Sequence, residues 1–363
     1  MAKKGKTLQE LRAEIDELDL RLLRLLSRRA EVARKIGLAK SERAKAVLDL
    51  AREKDVIRAV RGANPGPLGN DAVEAVFREI VSACRAAQEP TSVAFLGPLG
   101  TFSHAAALKQ FGRTAVFVPV DTIADVFTTV EAGRARYGVV PVENTTEGAV
   151  TPTLDALADT PLKVIGEVLV RIDHFLVSRG GDRSKIRRIV SHPQPLAQCR
   201  NYLAKQFPGV PLVPAPSTAA AAAEAARDGA VAAIAGKLAT DTHGLRIVAA
   251  SIQDNPANVT RFLVVSDLPP DSPPRRTGDD RTSLVVSVHD EVGVLGRVLQ
   301  PFTNNRINLS MIESRPILGR PWEYRFFLDV TGHVEDKPLA RTLARVAKVA
   351  TSTKVLGSYP VAR

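Results

Sequence analysis

The sequence predicts a multidomain protein with an all-α helical part, a two-lobed α/β part and a small α+β part of βαββαβ order. Apolar residues in the first ninety positions recur at alternating steps of three and four, a helical period with a coiled-coil-like seam. Between residues 91 and 267, short apolar runs alternate with helical stretches and turn residues, as in an α/β domain. A Pro-rich, charged stretch at 268–280 reads as a linker, and strand and helix patterns resume beyond it. The expected boundaries are 1–89, 91–267, the linker at 268–280, and 281–363.

The whole chain narrows the function classes. At 363 residues it has room for two or three domains. A hydrophobic content of 45% with 25% charged residues fits a globular protein in water. No apolar run approaches the ~20 residues of a membrane span, so no membrane partner is expected. The basic start, Met1 to Lys6, lacks the apolar stretch of a signal peptide. Two cysteines, Cys84 and Cys199, suggest neither a disulfide framework nor a metal cluster. A cytoplasmic location is the expectation. The net charge is +11, but aromatics are 5% and the basic residues are scattered. That favours small anionic substrates over nucleic acid.

In the first segment the seam runs through Leu8, Leu11, Ile15, Leu18, Leu22, Leu25, Val32 and Ile36. The beat it skips is Arg29. A charge on an apolar seam is costly unless paired, so Arg29 points to an anionic ligand or a structural carboxylate. Lys40 shares the face of Arg29. Arg12 lies seventeen residues earlier, about 26 Å away at ~1.5 Å per residue. One straight helix cannot bring Arg12 and Arg29 to one small molecule, so a dimer with shared sites is expected. A second helix is expected over 42–61, with Asp49, Arg52 and Glu53 on one face. Residues 64–70 read as a loop. A third helix carries Val73, Val76, Phe77, Ile80, Val81 and Cys84, with Gln88 on the same stripe. Three helices leave little closed core, which also favours intertwined dimers. The rival is a pure dimerisation module, in which an aliphatic residue would replace Arg29.

Arg12, Arg29, Lys40, Asp49, Arg52, Glu53 and Gln88 resemble, in type and spacing, the active-site set of the all-helical chorismate mutases. The resemblance covers the whole segment and includes Gly37-Leu38-Ala39-Lys40. It implies an intertwined dimer in which Arg12 serves the partner's site. Arg12 and Arg29 would clamp the carboxylates of chorismate, and Lys40 and Gln88 would donate to its ether oxygen. Arg52 and Glu53 would bind the ring-hydroxyl side. Cys84 stands where the family commonly has Ser.

In the middle segment, Val93–Leu96 reads as a buried strand, 97–101 as a turn, and Phe102–Phe111 as a helix. Asp121 is expected to cap a helix ending near Gly133. A strand over 137–142 runs into Glu143, Asn144 and Thr145. Thr151-Pro152 is expected to cap and open a further helix. Residues 163–179 read as long extended structure, a crossover between two lobes. Ile189–Ser191 is a strand, followed by a helix after His192-Pro193. Ser217 and Thr218 open an Ala-rich helix, and strands follow at 231–235 and 261–266. Polar clusters at strand ends are where α/β proteins bind ligands. Here they are Thr101, Ser103 and His104; Glu143, Asn144 and Thr145; Ser191, His192 and Gln198; Ser217 and Thr218; Thr260 and Arg261. Each has a capping or turn explanation, but their recurrence favours one cleft.

The motifs at 97–104, 138–148, 191–194 and 258–262 resemble the prephenate dehydratases over the full segment. The resemblance implies that Thr260 is the catalytic residue. Arg261, Asn144, Ser191 and Gln198 would bind or orient prephenate, and no metal, flavin or nucleotide cofactor is implied. A non-catalytic small-molecule binder is the rival reading.

Beyond the linker, strands are expected at 283–288, 308–314, 322–330 and 354–360, with helices at 294–304 and 338–349. This order resembles an ACT domain, a small-ligand sensor. Asn308, Leu309, Glu313, Ser314 and Arg315 fall in a stretch close to that family's phenylalanine-binding motif, and Gly293, Val294 and Leu295 in its other half. The resemblances together imply a homo-oligomeric enzyme of phenylalanine biosynthesis, acting on chorismate and prephenate with phenylalanine as effector. A chain ending at Leu268 would be expected to keep dehydratase activity and ignore phenylalanine.

Overall fold

The computed structural model describes residues 6–41, 48–268, 274–317 and 323–362, without the side chains of Lys40 and Ser41. It divides into two units, one of residues 1–91 with 111–115 and one of the remainder.

In the first unit, the three-and-four apolar period forms one long helix, α1 (Leu8–Ser41). Its seam residues Leu8, Leu11, Ile15, Leu18, Leu22 and Leu25 are exposed on the chain. Helix α2 (Leu50–Gly62) begins later than expected, because Asp49 accepts a bond from the Arg52 N–H at 2.8 Å and so caps the helix. The expected start at residues 42–47 lies outside the described residues. Helix α3 (Asn70–Ala86) stops short of Gln88, since Ala87 turns its N–H back onto Ala83 and Arg85. A Cβ at Gly37 would lie 2.9 Å from the Gln88 Cβ, so the glycine lets Gln88 pack on α1. Residues 111–115 join this unit through Arg85 and Ser82, which both donate to the Phe111 carbonyl, at 2.7 and 2.5 Å.

The second unit holds three sheets. The first contains β1 (Ser92–Leu96), β2 (Val116–Val120), β3 (Tyr137–Asn144), β4 (Gly148–Ala149), β5 (Lys163–Arg171) and β11 (Val259–Ser266). Its order is β2-β1-β3-β11-β5, with β4 on β3. The second contains β6 (Phe175–Ser178), β7 (Arg188–Ser191), β8 (Leu212–Pro214), β9 (Val231–Ala235) and β10 (Arg246–Ala249), in the order β10-β6-β9-β7-β8. The extended stretch 163–179 is therefore two strands in different sheets, as a crossover requires. The chain returns between β10 and β11. The third contains β12 (Asp280–His289), β13 (Leu309–Pro316), β14 (Glu323–Thr331) and β15 (Ser352–Pro360), in the order β13-β14-β12-β15.

Helices α4 (Phe102–Phe111), α5 (Ile123–Glu131) and α6 (Thr151–Asp159) serve the first sheet. Helices α7 (Pro193–Gln198), α8 (Arg200–Gln206), α9 (Thr218–Arg227) and α10 (Lys237–Thr242) serve the second. Helices α11 (Val294–Asn304) and α12 (Lys337–Val346) serve the third. Two expected caps are corrected. Thr122, not Asp121, caps α5, in a reciprocal box with Asp125. Thr151 is itself helical, and Val150 precedes it without a side-chain cap.

The first and third sheets share one core. Val140, Leu154, Leu263 and Val265 pack in the same cluster as Val285, Phe327, Leu356 and Tyr359. The approach is close where β15 meets β5, since a Cβ at Gly357 would overlap the Val164 carbonyl oxygen. The Lys354 ammonium donates to the carbonyls of Leu157, Ala158 and Thr160, at 3.1, 2.9 and 2.5 Å. It thereby satisfies the free C-terminal end of α6. The other face of the third sheet carries α11 and α12 on Leu284, Val286, Leu328 and Val330.

Candidate active sites and their relatives

The helical unit presents the mutase set along α1 and α2. Arg12 is exposed and Arg29 half-buried on α1, while the Lys40 side chain lies outside the described residues. Asp49 spends a carboxylate oxygen on its cap. Arg52 is exposed, whereas Glu53 turns inward to an ion pair with buried Arg85 at 2.5 Å. Burial raises the Glu53 carboxyl above its ordinary range, against the pull of Arg85. Among the described residues the buried Gln88 carbonyl oxygen has no hydrogen-bond partner, and it lies beside Gly37. Its amide donates weakly to the Cys84 carbonyl at 3.4 Å. The sequence reading missed Arg85, which follows Cys84 on the third helix and could have been found as a charge beside a buried stripe.

A buried polar cluster forms where β3 and β11 run side by side, with Thr260 opposite Asn144. Both side chains are buried, as is Asn258. The Asn144 carbonyl oxygen accepts the Thr146 and Glu147 backbone N–H groups at 2.9 and 3.1 Å, an Asx turn that fixes which way the amide points. Its NH2 then donates to the Asn258 carbonyl oxygen and to Thr260 Oγ1, both at 2.8 Å. From the second lobe, Gln198 at the end of α7 donates to Glu147 at 3.1 Å and meets His174 Nε2 at 2.9 Å. Thr145 pins the preceding loop, donating to the Ala257 carbonyl and accepting from the Val259 N–H.

Other expected ligands hold the cleft rather than enter this cluster. Thr101 donates to the Leu96 carbonyl and accepts the His104 N–H, which sets the start of α4 beside buried Ser103. His104 accepts the Gly100 N–H and stacks on Phe95, with ring centroids 4.9 Å apart. Burial lowers its pKa, so it stays neutral near pH 7. His192 caps α7, and Ser217 caps α9 ahead of buried Thr218. Ser191 is fully buried and donates to the Ile234 carbonyl at 2.7 Å, so it ties β7 to β9 instead of joining the cluster. Burial pushes the Cys199 thiol up to about 12, which disfavours the thiolate.

Arg261 and Glu143 require a larger correction. Successive strand residues face opposite sides, so Arg261 points away from Thr260. Its guanidinium lies 3.1 Å from Glu143, 3.3 Å from Glu167 on β5 and 2.6 Å from Asp329 on β14. It also lies 3.2 Å from the Met311 sulfur on β13. Glu167 pairs in addition with Arg281 at 2.6 Å. Burial alone would lower the Arg261 pKa, but Asp329, Tyr359, Glu167 and Glu143 together raise it well above its ordinary value. Of these residues, Glu143, Glu167, Arg261 and Arg281 line a cavity of about 180 Å³. They fasten the third sheet to the strand that carries Thr260, so Arg261 and Glu143 face this ion-pair cluster and not the Thr260 side of the strand.

On the third sheet, Gly293 caps α11 with φ of 77°, a left-handed conformation that suits glycine, and Val294 and Leu295 form its first turn. Asn308 is exposed just before β13, and Leu309, Glu313 and Ser314 lie along that edge strand. Arg315 lies 3.5 Å from Asp155 of α6, an ion pair to the first sheet's helix. Among the described residues, no group of three His, Cys, Asp or Glu side chains is placed to hold a metal ion. Among them, no helix is long and apolar enough to cross a membrane.

Comparison with known proteins matches three family models end to end: Chorismate mutase type II over 11–89, Prephenate dehydratase over 93–269 and the ACT domain over 282–348. A bifunctional chorismate mutase/prephenate dehydratase of Stutzerimonas stutzeri is 42% identical over 363 residues, covering 98% of each chain. One from Aquifex aeolicus is 41% identical, again over 98% of each. Among solved structures, a prephenate dehydratase of Arthrobacter aurescens in complex with L-Phe superposes with a TM-score of 0.69 at 41% identity. That match covers 75% of this chain and 90% of the other.

Proposed function

The chain belongs to the bifunctional chorismate mutase/prephenate dehydratase family, and from that premise we propose which residues carry each step and its control. It rearranges chorismate to prephenate, and converts prephenate to phenylpyruvate with loss of CO2 and water.

The observation that carries the dehydratase assignment is the orientation of Asn144. Its NH2 donates to Thr260 Oγ1, so that oxygen is already an acceptor and its own O–H is free to point at a ligand. The same donor stabilises negative charge on Oγ1 once the proton has left. Thr260 then protonates the ring hydroxyl of prephenate as it departs as water. The electrons of the breaking carbon–carboxylate bond flow into the ring, which becomes aromatic as CO2 leaves. A threonine hydroxyl is a weak acid, so position matters more here than pKa. The test is Thr260→Val, which keeps the shape and removes the proton.

The mutase step is pericyclic and needs a clamp instead of an acid or base. Arg29, the partner's Arg12, Lys40, Arg52, Glu53 and Gln88 form that clamp, with Asp49 ordering α2 beneath it. The exposed seam of α1 supports a homodimer, since an apolar stripe of that length needs a covering helix. Phenylalanine is the effector of this reading, held by Gly293–Leu295 and by residues of 308–315 on paired C-terminal domains. L-Phe accompanies the Arthrobacter aurescens dehydratase in its solved structure. The domains follow 1–89, 91–267 and 281–363 around the linker at 268–280, of which 269–273 lie outside the described residues. A cytoplasmic location accords with biosynthesis from such substrates.

A further inference from the structure

His174 sits in the first crossing between the lobes, where Ile172, Asp173 and His174 separate β5 from β6. Its side chain is buried, 1% exposed. The backbone is tied on both sides: its N–H donates to Gln253 at 2.9 Å and its carbonyl accepts from Ile252 at 3.0 Å. The ring meets the edge of Phe102, centroids 5.7 Å apart. Nε2 lies 2.9 Å from Gln198 Oε1, whereas buried Nδ1 has no hydrogen-bond partner among the described residues.

The tautomer follows from the groups beyond it. Two backbone N–H groups fix the carbonyl oxygen of Asn144, so its NH2 faces Asn258 and Thr260. Asn258 accepts that bond through its oxygen, which leaves its own NH2 toward Gln198 Oε1 at 3.4 Å. The Gln198 NH2 donates to the Glu147 carboxylate. Gln198 therefore presents an oxygen to His174, and Nε2 must carry the hydrogen. Burial lowers the imidazole pKa against the pull of Gln198 and Asp173, which keeps the ring neutral near pH 7.

We propose that His174 is a positioning residue for the dehydratase step. As the Nε2–H tautomer it holds the Gln198 amide across the cleft, and that amide holds Asn258, whose oxygen shares with Thr260 Oγ1 the Asn144 NH2 already oriented by the Thr146 and Glu147 N–H groups. The inference rests on the assignment of Thr260 as proton donor. From the return crossing the Asp254 N–H donates to the Gln198 backbone carbonyl at 2.7 Å and Asn258 to its side-chain oxygen, and from the first crossing the His174 ring holds that same side-chain oxygen, so the ring links the placement of the lobes to the Gln198 amide.

The test uses the full chain with prephenate. His174→Phe keeps a ring against Phe102 and removes the donor; it is expected to lower kcat about tenfold with little change in KM. His174→Gln, whose amide nitrogen reaches the Nε2 position, is expected to recover most of that loss, and His174→Asn is not. The double variant His174→Phe/Gln198→Ala should be no slower than Gln198→Ala alone, because both changes remove one link. Nitrogen NMR of the wild-type ring should show the proton on Nε2 and a bare Nδ1 near neutral pH. Wild-type kcat in His174→Phe, losses that multiply in the double variant, or a proton on Nδ1 would each overturn the proposal. Thr260→Val run in parallel reports on the donor separately. Normal turnover there, with the His174–Gln198 coupling intact, removes the donor assignment and leaves His174 as the positioner of Gln198.

Discussion

Arg261→Met separates a structural role from a substrate-binding one. The guanidinium faces three carboxylates, and the variant affects each differently. Glu143 is 42% exposed and can turn to water. Glu167 is buried but keeps Arg281 at 2.6 Å and the Ala362 N–H at 2.9 Å. Asp329 is 2% exposed; one oxygen accepts from Ser283, and the other, among the described residues, has no hydrogen bond and faces the Arg261 charge at 2.6 Å. Breaking a buried pair by removing one partner typically costs about 3–5 kcal/mol, and here most of that falls on Asp329. Arg261→Met is therefore expected to lose about 3–5 kcal/mol, read as a lower urea midpoint and as faster amide exchange in β11, β12 and β14. Adding Asp329→Asn removes the stranded charge and should recover part of the loss. The KM for prephenate, measured without urea at low temperature, should change less than threefold. A tenfold rise in KM with an unchanged urea midpoint would refute the reasoning and return Arg261 to the substrate.

Four further outcomes are expected. Arg29→Ala should abolish chorismate rearrangement and leave turnover of supplied prephenate intact; loss of both in a folded chain would rule out separate sites. Heterodimers of Arg12→Ala with Arg29→Ala chains should regain part of the mutase activity, and no recovery in confirmed heterodimers would sink the shared site. Thr260→Val should lower dehydratase kcat by a factor on the order of 10² or more, and near-normal turnover would show that Thr260 only orders the strand. Gly293→Val forces a β-branched residue into a left-handed position and fills the loop, so inhibition by phenylalanine should disappear; an unchanged half-inhibitory concentration would move the effector site elsewhere.

Local patterns carried the elements well and the contacts poorly. Helix α1 and the βαββαβ order of the last segment were legible because period and turn residues are properties of neighbouring positions. The start of α2 was not, because Asp49, Arg52 and Glu53 satisfy two local rules at once, a shared helix face and an N-cap. Thr122-x-x-Asp125 was readable as a capping box, but the adjacent Asp121 offered a competing cap. Thr260 could be picked out as a hydroxyl at a strand mouth. Strand alternation alone already places Arg261 on the other face. What covers that face is Asp329, in a sheet formed by a later segment, and no local signal announces it. The partner of His174 is likewise Gln198, on a helix of the other lobe.

The two faces of β11 change how the C-terminal segment must be understood. Sequence alone suggests a tethered sensor that a cut at Leu268 would remove cleanly. In the structure, Val285, Phe327, Leu356 and Tyr359 complete the core beneath Leu263 and Val265. Lys354 closes the end of α6, and Asp329 neutralises Arg261. Removing that sheet would uncover apolar core and strand a buried guanidinium, so the truncated chain loses stability along with its sensor. The same contacts limit how an effector can act. A ligand shifts the enzyme only by binding one arrangement of the third sheet better than another. Any such rearrangement is felt at Arg261 through Asp329 and Met311, one peptide away from Thr260. The residue proposed as proton donor and the residue that would feel such a rearrangement are thus neighbours on one strand, and the ladder from β3 through β11 to β5 holds them in register.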